Sequence, residues 1–277
     1  MVDIGANLTS FNNLDNLINE SLEVLSGIII TGSTLKDSIK AINICEKYQG
    51  KLYSTVGVHP HHADLVNQDM MNKLEGLLSN NCVVAIGETG LDFNRNYSSK
   101  NNQIRSFRWH IKLALKYNKP LFLHERDAST EFLQILDDYD LSSIKVVVHC
   151  FTGTKKICEE YIRRGFYIGI TGWLCDNRRN HDLLDAIKII PHDKIMVETD
   201  CPYLKPPNVN GKNNVPKNLT YIIEKVAECI GKSYDEILQM TIRNTNTFFN
   251  LRFDVNKVVL EKKECMFDLN MDFPKLK

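Results

Sequence analysis

Apolar residues in this chain come in short β-branched runs, separated by longer stretches with helical spacing. Eight runs read as strands: VDIGANL (2–8), GIIITG (27–32), YSTVGVH (53–59), VVAIGETG (83–90), PLFLHE (120–125), KVVVHCF (145–151), FYIGITG (166–172) and KIMVETD (194–200). Between them, LKDSIKAINICEKY, NNQIRSFRWHIKLALKY and STEFLQILDDY place apolar side chains at helical intervals. Strands alternate with helix-length segments, and more helical pattern follows the last strand. That order predicts an α/β fold, a (β/α)8 TIM barrel, with a doubly wound open sheet as the alternative. There is no internal repeat and no linker, so one domain is expected over 1–253. Residues 254–277 fall outside the pattern, as a tail without an assignable role.

The strand ends carry ionisable residues that a buried parallel sheet should avoid. VVAIGE ends on Glu88, PLFLH on His124, VVVH on His149 and VETD on Asp200. Strand three ends in GVHPHHA, with His59, His61 and His62. A charge buried alone is very costly. In a barrel, however, all C-terminal strand ends meet at one mouth, where side chains from four strands can converge on a cation. Two imidazoles and two carboxylates suit a divalent transition metal, or a pair of ions sharing one carboxylate. A lone strand-end histidine is usually a satisfied core residue; four such coincidences point instead to metal. His61 and His62 stay ambiguous, and His110, His181 and His192 read as structural or exposed.

Composition narrows the class. The chain has 277 residues, 43% hydrophobic and 25% charged, with 34 Lys+Arg balanced by 34 Asp+Glu. Zero net charge excludes a basic coat for nucleic acid and leaves phosphate contacts to local patches. No apolar run nears the roughly 18 residues of a membrane span, and the N-terminus lacks the pattern of a signal peptide. Membrane contact and a stable protein partner are not expected. The eight cysteines are widely spaced without a CxxC, which suggests reduced thiols in the cytoplasm or the nucleus. Strand alternation predicts that Cys150 and Cys201, beside His149 and Asp200, face the helix layer as small buried hydrophobes rather than ligands.

DIGANLTS, GVHPHHA, AIGETGLDFNRNYS, PLFLHERDA, VVHCFTGT, YIGITGWLCDNRR and VETDCPYL together resemble the TatD-type metal-dependent deoxyribonucleases of the amidohydrolase superfamily. The resemblance runs from residue 2 to about residue 250. It implies a TIM barrel that hydrolyses DNA phosphodiesters with one or two divalent ions (Mg2+, Mn2+ or Zn2+). The expected activity is a 3′–5′ exonuclease on single-stranded ends, with roles in DNA repair or DNA degradation. By resemblance Glu88 bridges two metals, His124 and His149 ligate the second, Asp200 ligates the first, and His61 lies beside the scissile phosphate. Asp200 is also a candidate acceptor for the proton of the attacking water. Glu198 shares the strand parity of Asp200 and is a candidate for orienting a ligand. Arg126, two residues after His124, is a candidate for phosphate or for a ligand carboxylate.

The loops expected on the catalytic face carry Arg95, Lys155, Lys156, Arg178, Arg179, Lys205 and Lys212, with Phe93, Phe151, Trp173 and Tyr203. Cations interleaved with aromatics suit unpaired nucleic acid, and Arg178, Arg179 and Trp173 are the principal candidates. One alternative is a metal-dependent hydrolase of a cyclic amide, lactone or aminoacyl ester, which should close its mouth with apolar loops. Another is a binding protein without activity, which need not retain four strand-end ligands. Many relatives carry two metal-binding histidines on the first strand, where this chain has Gly5 and Asn7. Period-two geometry predicts that Asp3, Gly5 and Asn7 share one face. An asymmetric centre is therefore expected, tight at Glu88, His124 and His149 and weak at Asp200. The plainer alternative is that Asp3 and Asn7 merely hydrogen-bond the barrel floor.

Overall fold

The computed structural model describes residues 1–255; the predicted tail from residue 254 thus lies almost wholly outside the described residues. Eight parallel strands form one sheet in sequential order: β1 (Val2–Ala6), β2 (Gly27–Ile30), β3 (Leu52–Val56), β4 (Val83–Asp92), β5 (Leu121–Arg126), β6 (Val146–Val148), β7 (Tyr167–Ile170) and β8 (Ile195–Val197). Helices follow the strands: α1 (Leu14–Leu22), α2 (Leu35–Lys47), α3 (Gln68–Leu77), α4 (Lys100–Tyr117), α5 (Ser129–Asp137), α6 (Lys155–Arg163), α7 (His181–Ala186), α8 (Leu219–Ile230) and α9 (Tyr234–Phe249). The sheet closes where the backbone after β8 meets β1: Asp200 N–H donates to Gly5 O at 2.9 Å and Asn7 N–H to Cys201 O at 2.8 Å. This is the (β/α)8 barrel expected from the alternation.

Local signals start and stop the helices. Thr34, Asn67, Ser99 and Thr154 cap α2, α3, α4 and α6 by accepting a first-turn N–H, and Ser233 forms a capping box with Glu236 on α9. Each helix presents an apolar stripe to the outside of the sheet. Inside the barrel, seven strands contribute Ile4, Ile29, Val84, Ala85, Phe122, Val147, Tyr167 and Met196, and Phe248 and Phe249 of α9 join them. This apolar plug occupies the floor, so the polar strand ends gather at the opposite end.

The first strand departs from the expected alternation. Val2 pairs with Gly27 and Asp3 with Ile28, but Ala6 pairs with Ile30, so β1 bulges between Asp3 and Ala6. Asp3, Gly5 and Asn7 therefore do not line up on one face. The carboxylate of Asp3 is fully buried and accepts from Gly5 N–H (3.2 Å), Thr199 N–H (3.0 Å) and Thr199 Oγ1 (2.6 Å). It staples β1 to the segment after β8, at the C-terminal end of that strand and not at the barrel floor.

An open cleft of about 450 Å³ lies away from the mouth, at the N-terminal ends of β6, β7 and β8. Two of its cations are already engaged: Arg164 binds Asp137 and Glu160, and Lys194 sits 4.2 Å over the Tyr167 ring. Among the described residues, no helix is long and apolar enough to cross a membrane.

Burial raises Asp3 to about 8 in the folded protein, against its hydrogen bonds from Thr199. In the unfolded chain an aspartate titrates near about 3.9. The folded state therefore holds the extra proton between these values, and this residue's contribution to stability declines as pH rises from about 4 towards 8. Asp3→Asn should flatten that decline in urea-denaturation curves measured across this range. A slope identical to that of the unmodified chain would refute the assignment.

Candidate metal centre

β4 is the longest strand and carries two carboxylates of equal parity, Glu88 and Asp92. Both are buried, at 4% and 1% exposure. Gly87 makes the placement of Glu88 possible: it takes φ 148°, and a Cβ there would lie 2.1 Å from Phe122 O. Oε1 of Glu88 then sits among three imidazole nitrogens: His149 Nε2 at 2.7 Å, His124 Nδ1 at 3.1 Å and His59 Nε2 at 3.3 Å. Oδ2 of Asp92 lies 2.8 Å from His61 Nε2 and 3.3 Å from His124 Nε2. Its other oxygen accepts from the N–H groups of Asn94 and Arg95. Two carboxylates thus hold four rings.

A second layer fixes the arrangement. Glu198, fully buried, accepts from Cys150 N–H at 2.6 Å and lies 3.4 Å from His149 Nδ1, as expected of an orienting residue. The space for Glu198 comes from missing side chains. A Cβ on Gly5 would lie 2.1 Å from one of its oxygens, and a Cβ on Gly169 2.4 Å from the other. The space beside Gly5 and Gly169 is therefore filled by a carboxylate from after β8. Asn7 Nδ2 donates to Asp200 Oδ1 at 2.9 Å, so Asn7 reaches the mouth after all.

The electrostatics follow from burial and neighbours. Burial lowers His59 to about 4, reinforced by the nearby His124 and His61, and leaves its ring neutral at neutral pH. Burial also opposes charge on His149 and His124. Glu88 and Glu198 nonetheless raise His149 well above its ordinary value, and Asp92 with Glu88 raises His124. Glu88 is held well below the usual carboxylate range because His59 and His149 outweigh its burial. Burial pushes Asp200 up to about 7, opposed by His149 and reinforced by Glu88 and Glu198.

The ligand atoms of His59, Glu88 and His124 all lie within 4.8 Å of one another, a spacing that one ion can bridge. Imidazole and carboxylate are the donors that divalent transition metals take, and the orienting carboxylates beside them are typical of such sites. The donor set fits a divalent cation.

The profile of the family described as "TatD related DNase" matches residues 2–250. The chain belongs to this family. Over 261 residues it is 38% identical to a protein of Citrobacter koseri named "3'-5' ssDNA/RNA exonuclease TatD", covering 91% of this chain and all of that one. A protein of the same name from Pectobacterium carotovorum subsp. carotovorum is 39% identical over 259 residues, with the same coverage. Among solved structures, a hydrolase TatD family protein from Entamoeba histolytica superposes with a TM-score of 0.81 at 30% identity, covering 90% of this chain and 97% of that one. The TatD homologue YJJV of Escherichia coli K12 gives 0.83 at 26%, covering 91% and 98%.

In this TatD-family barrel, Glu88, His124 and His149 meet as anticipated, while Asp200 stands beside them, bonded to Asn7. Two participants went unassigned in the sequence, His59 and Asp92. His59 ends its strand run as the other ionisable residues do, and Asp92 has the parity of Glu88, so both signals were present. His61 is held by Asp92, and its ring meets Tyr97 edge-on at 4.8 Å. His110 is structural: Nε2 accepts from Val58 N–H and Nδ1 faces Ser106 O.

Two expectations need correction. Cys201 is buried in the sheet–helix layer as foreseen, but Cys150 is not. Its backbone turns to φ 46°, which breaks the alternation. The thiol lies 3.8 Å from Thr171 Oγ1; burial together with Asp200, Glu198 and Glu88 raises it well above its ordinary value. The second correction concerns Phe151, which packs against Tyr161 in the core and takes no part in the rim.

The rest of the rim has definite structure. Asp176 binds Arg178 through Nε and Nη2, both at 2.8 Å, and Arg179 Nε at 3.0 Å. The Arg179 guanidinium stacks 3.9 Å over Trp173, whose Nε1 donates back to Arg179 O. Arg126 ends β5, paired in register with Asp92, and forms no ion pair among the described residues.

His59→Ala should weaken binding of a divalent cation by about tenfold or more, since even partners outside the ligand set commonly cost that much. Calorimetric metal titration checks this, and unchanged affinity would remove His59 from the centre. Gly5→Ala should destabilise the fold by about 1–3 kcal/mol through overpacking against Glu198 and Phe122. Chemical denaturation gives the value, and a loss near zero would show that Glu198 is free to move.

Proposed function

We propose that this chain is a divalent-metal-dependent 3′–5′ exonuclease acting on single-stranded nucleic acid ends, DNA or RNA. The observation that carries the proposal is one carboxylate oxygen held among three imidazoles, at a barrel mouth edged by cations and aromatics. Membership of the TatD-related DNase family and the names of its relatives support the same chemistry.

His59, Glu88, His124 and His149 would hold the ion, with Asp200 available to a second, weaker one. When bound, a divalent cation activates water near neutral pH and neutralises charge on a phosphate undergoing in-line displacement. The residues of the chain do the rest. Glu198 and Asp92 lock the His149 and His124 rings, so ligand lone pairs are pre-aimed and little order is lost when substrate binds. His61, whose Nε2 is held by Asp92, would hydrogen-bond a phosphate oxygen through its other ring nitrogen. Asp200 keeps Oδ1 on Asn7, which leaves Oδ2 to ligate or to take the proton of the attacking water. Arg126 beside them offers a guanidinium for a phosphate.

Arg178, Arg179 and Trp173 would guide the strand. The Arg179–Trp173 stack offers a flat face for a base, and Arg178, with 84% of its side chain exposed, offers charge to the backbone. An apolar lid over the mouth, which a hydrolase of small cyclic amides or lactones would need, has no counterpart among the rim residues named above. On donor chemistry the imidazoles favour manganese or zinc, and the carboxylate of Asp200 suits magnesium.

Labelled single-stranded DNA and RNA should lose nucleotides from the 3′ end in the presence of added metal and stay intact with EDTA. Glu88→Ala should lower the rate by several orders of magnitude while the fold persists; near-normal turnover would end the proposal. Changing Arg178 and Arg179 together to Ala should raise KM for an oligonucleotide and flatten its salt dependence, because fewer counterions are displaced. A fall confined to kcat would instead put these arginines at the reacting phosphate.

A further inference from the structure

The loop between β4 and α4 places an exposed aromatic ring against the metal centre. Tyr97 is 65% exposed, and its ring meets that of His61 edge-on, with centroids 4.8 Å apart and planes at 79°. Loops are generally the mobile parts of a fold, yet this one is tied at both ends. Asp92 holds its start: Oδ1 accepts from the N–H groups of Asn94 (3.0 Å) and Arg95 (2.9 Å), while Oδ2 stays on His61 and His124. Buried Ser98 holds its end, donating to His61 O at 2.9 Å and accepting from Asp64 N–H at 3.1 Å. Asp64 in turn accepts from Ser99 N–H at 3.0 Å. Arg95 Nη1 donates to the Tyr97 hydroxyl at 3.3 Å. The ring is fixed beside the centre, with most of its surface open to solvent.

The order of the strands gives this ring a counterpart. His61 follows β3 and Trp173 follows β7, four positions away among eight strands in sequential order. Tyr97, held against His61, and Trp173 therefore stand on opposite sides of the mouth, with the Glu88 cluster between them. The two sides differ in charge. Arg178, with 84% of its side chain exposed, and Arg179 accompany Trp173, whereas Arg95 is already engaged with the Tyr97 hydroxyl.

We propose that Tyr97 is the stacking platform for the base of the 3′-terminal nucleotide, a contact that rests on the exonuclease reading above. A phosphodiester at the metal centre has one nucleoside on its 3′ side and the rest of the strand, with all its remaining phosphates, on its 5′ side. The phosphate-rich part belongs with Arg178 and Arg179. The terminal nucleoside, which ends in a hydroxyl rather than a further phosphate, falls to the Tyr97 side. An aromatic ring stacks on any base face, so the contact requires a terminal base without reading its identity. Because the loop is already held by Asp92 and Ser98, little ordering remains to be done when the base docks.

Three single-stranded oligonucleotides test this with added divalent metal: one with a normal 3′ end, one whose terminal nucleotide lacks its base, and one lacking the base of the third nucleotide in. On the normal end, Tyr97→Ala should raise KM for the first cleavage about tenfold, as expected for loss of a stacked base, and Tyr97→Phe should keep it low. On the end without a base, the unmodified chain should already show the raised KM, and Tyr97→Ala should add nothing. With only the third base missing, the full effect of Tyr97→Ala should return. No effect on the normal end would overturn the assignment. So would an equal effect on ends with and without a base, because a ring that merely props His61 acts whatever the substrate carries. An effect that vanishes only when the third base is missing would likewise overturn it. If the unmodified chain releases nothing from any of the three, the exonuclease reading itself fails and this contact falls with it.

Discussion

The structure is organised around one buried carboxylate. Glu88 would be prohibitively costly inside a barrel on its own. It is tolerated because His59, His124 and His149 surround one of its oxygens, and because the neighbouring rings are held in turn by Asp92 and Glu198. Each carboxylate restrains imidazoles and each imidazole offsets a carboxylate, so the network is stable only as a whole. A cation drawn into it would replace protons that the rings otherwise carry, so binding metal and releasing protons are linked.

Room for this network is made by absence. Gly5 and Gly169 leave the space that the carboxylate of Glu198 occupies, and Gly87 lets β4 run close to β5. The bulge in β1 serves the same end: it turns Asp3 into a staple to Thr199 and brings Asn7 to Asp200. The first strand thus shapes the mouth by its bulge and by its hydrogen bonds.

The barrel separates its tasks by end. Its floor is apolar, sealed by Phe248 and Phe249. Polar strand ends and loops collect at the mouth, where Asp176, Arg178, Arg179 and Trp173 form a small self-supporting unit. That pairing restrains the arginines and tempers their charge.

The barrel was legible in the sequence because its signals are local: eight β-branched runs, helical spacing between them, and caps such as Thr34 and Ser233. Glu88, His124, His149 and Asp200 stood out because each is an ionisable residue at the end of an apolar run, which burial makes conspicuous. What the sequence could not supply was partnership across strands. His59 and Asp92 gained their roles only when β3, β4 and β5 came together, since a histidine in a loop and an aspartate before a turn have ordinary local explanations. The alternation rule failed at Cys150 and in β1, because a positive φ and a bulge shift side chains between faces. Gly5 is the clearest case. From the sequence it is a missing ligand; in the fold it is the space that seats Glu198, because two atoms cannot occupy one position and only tertiary packing decides which arrives.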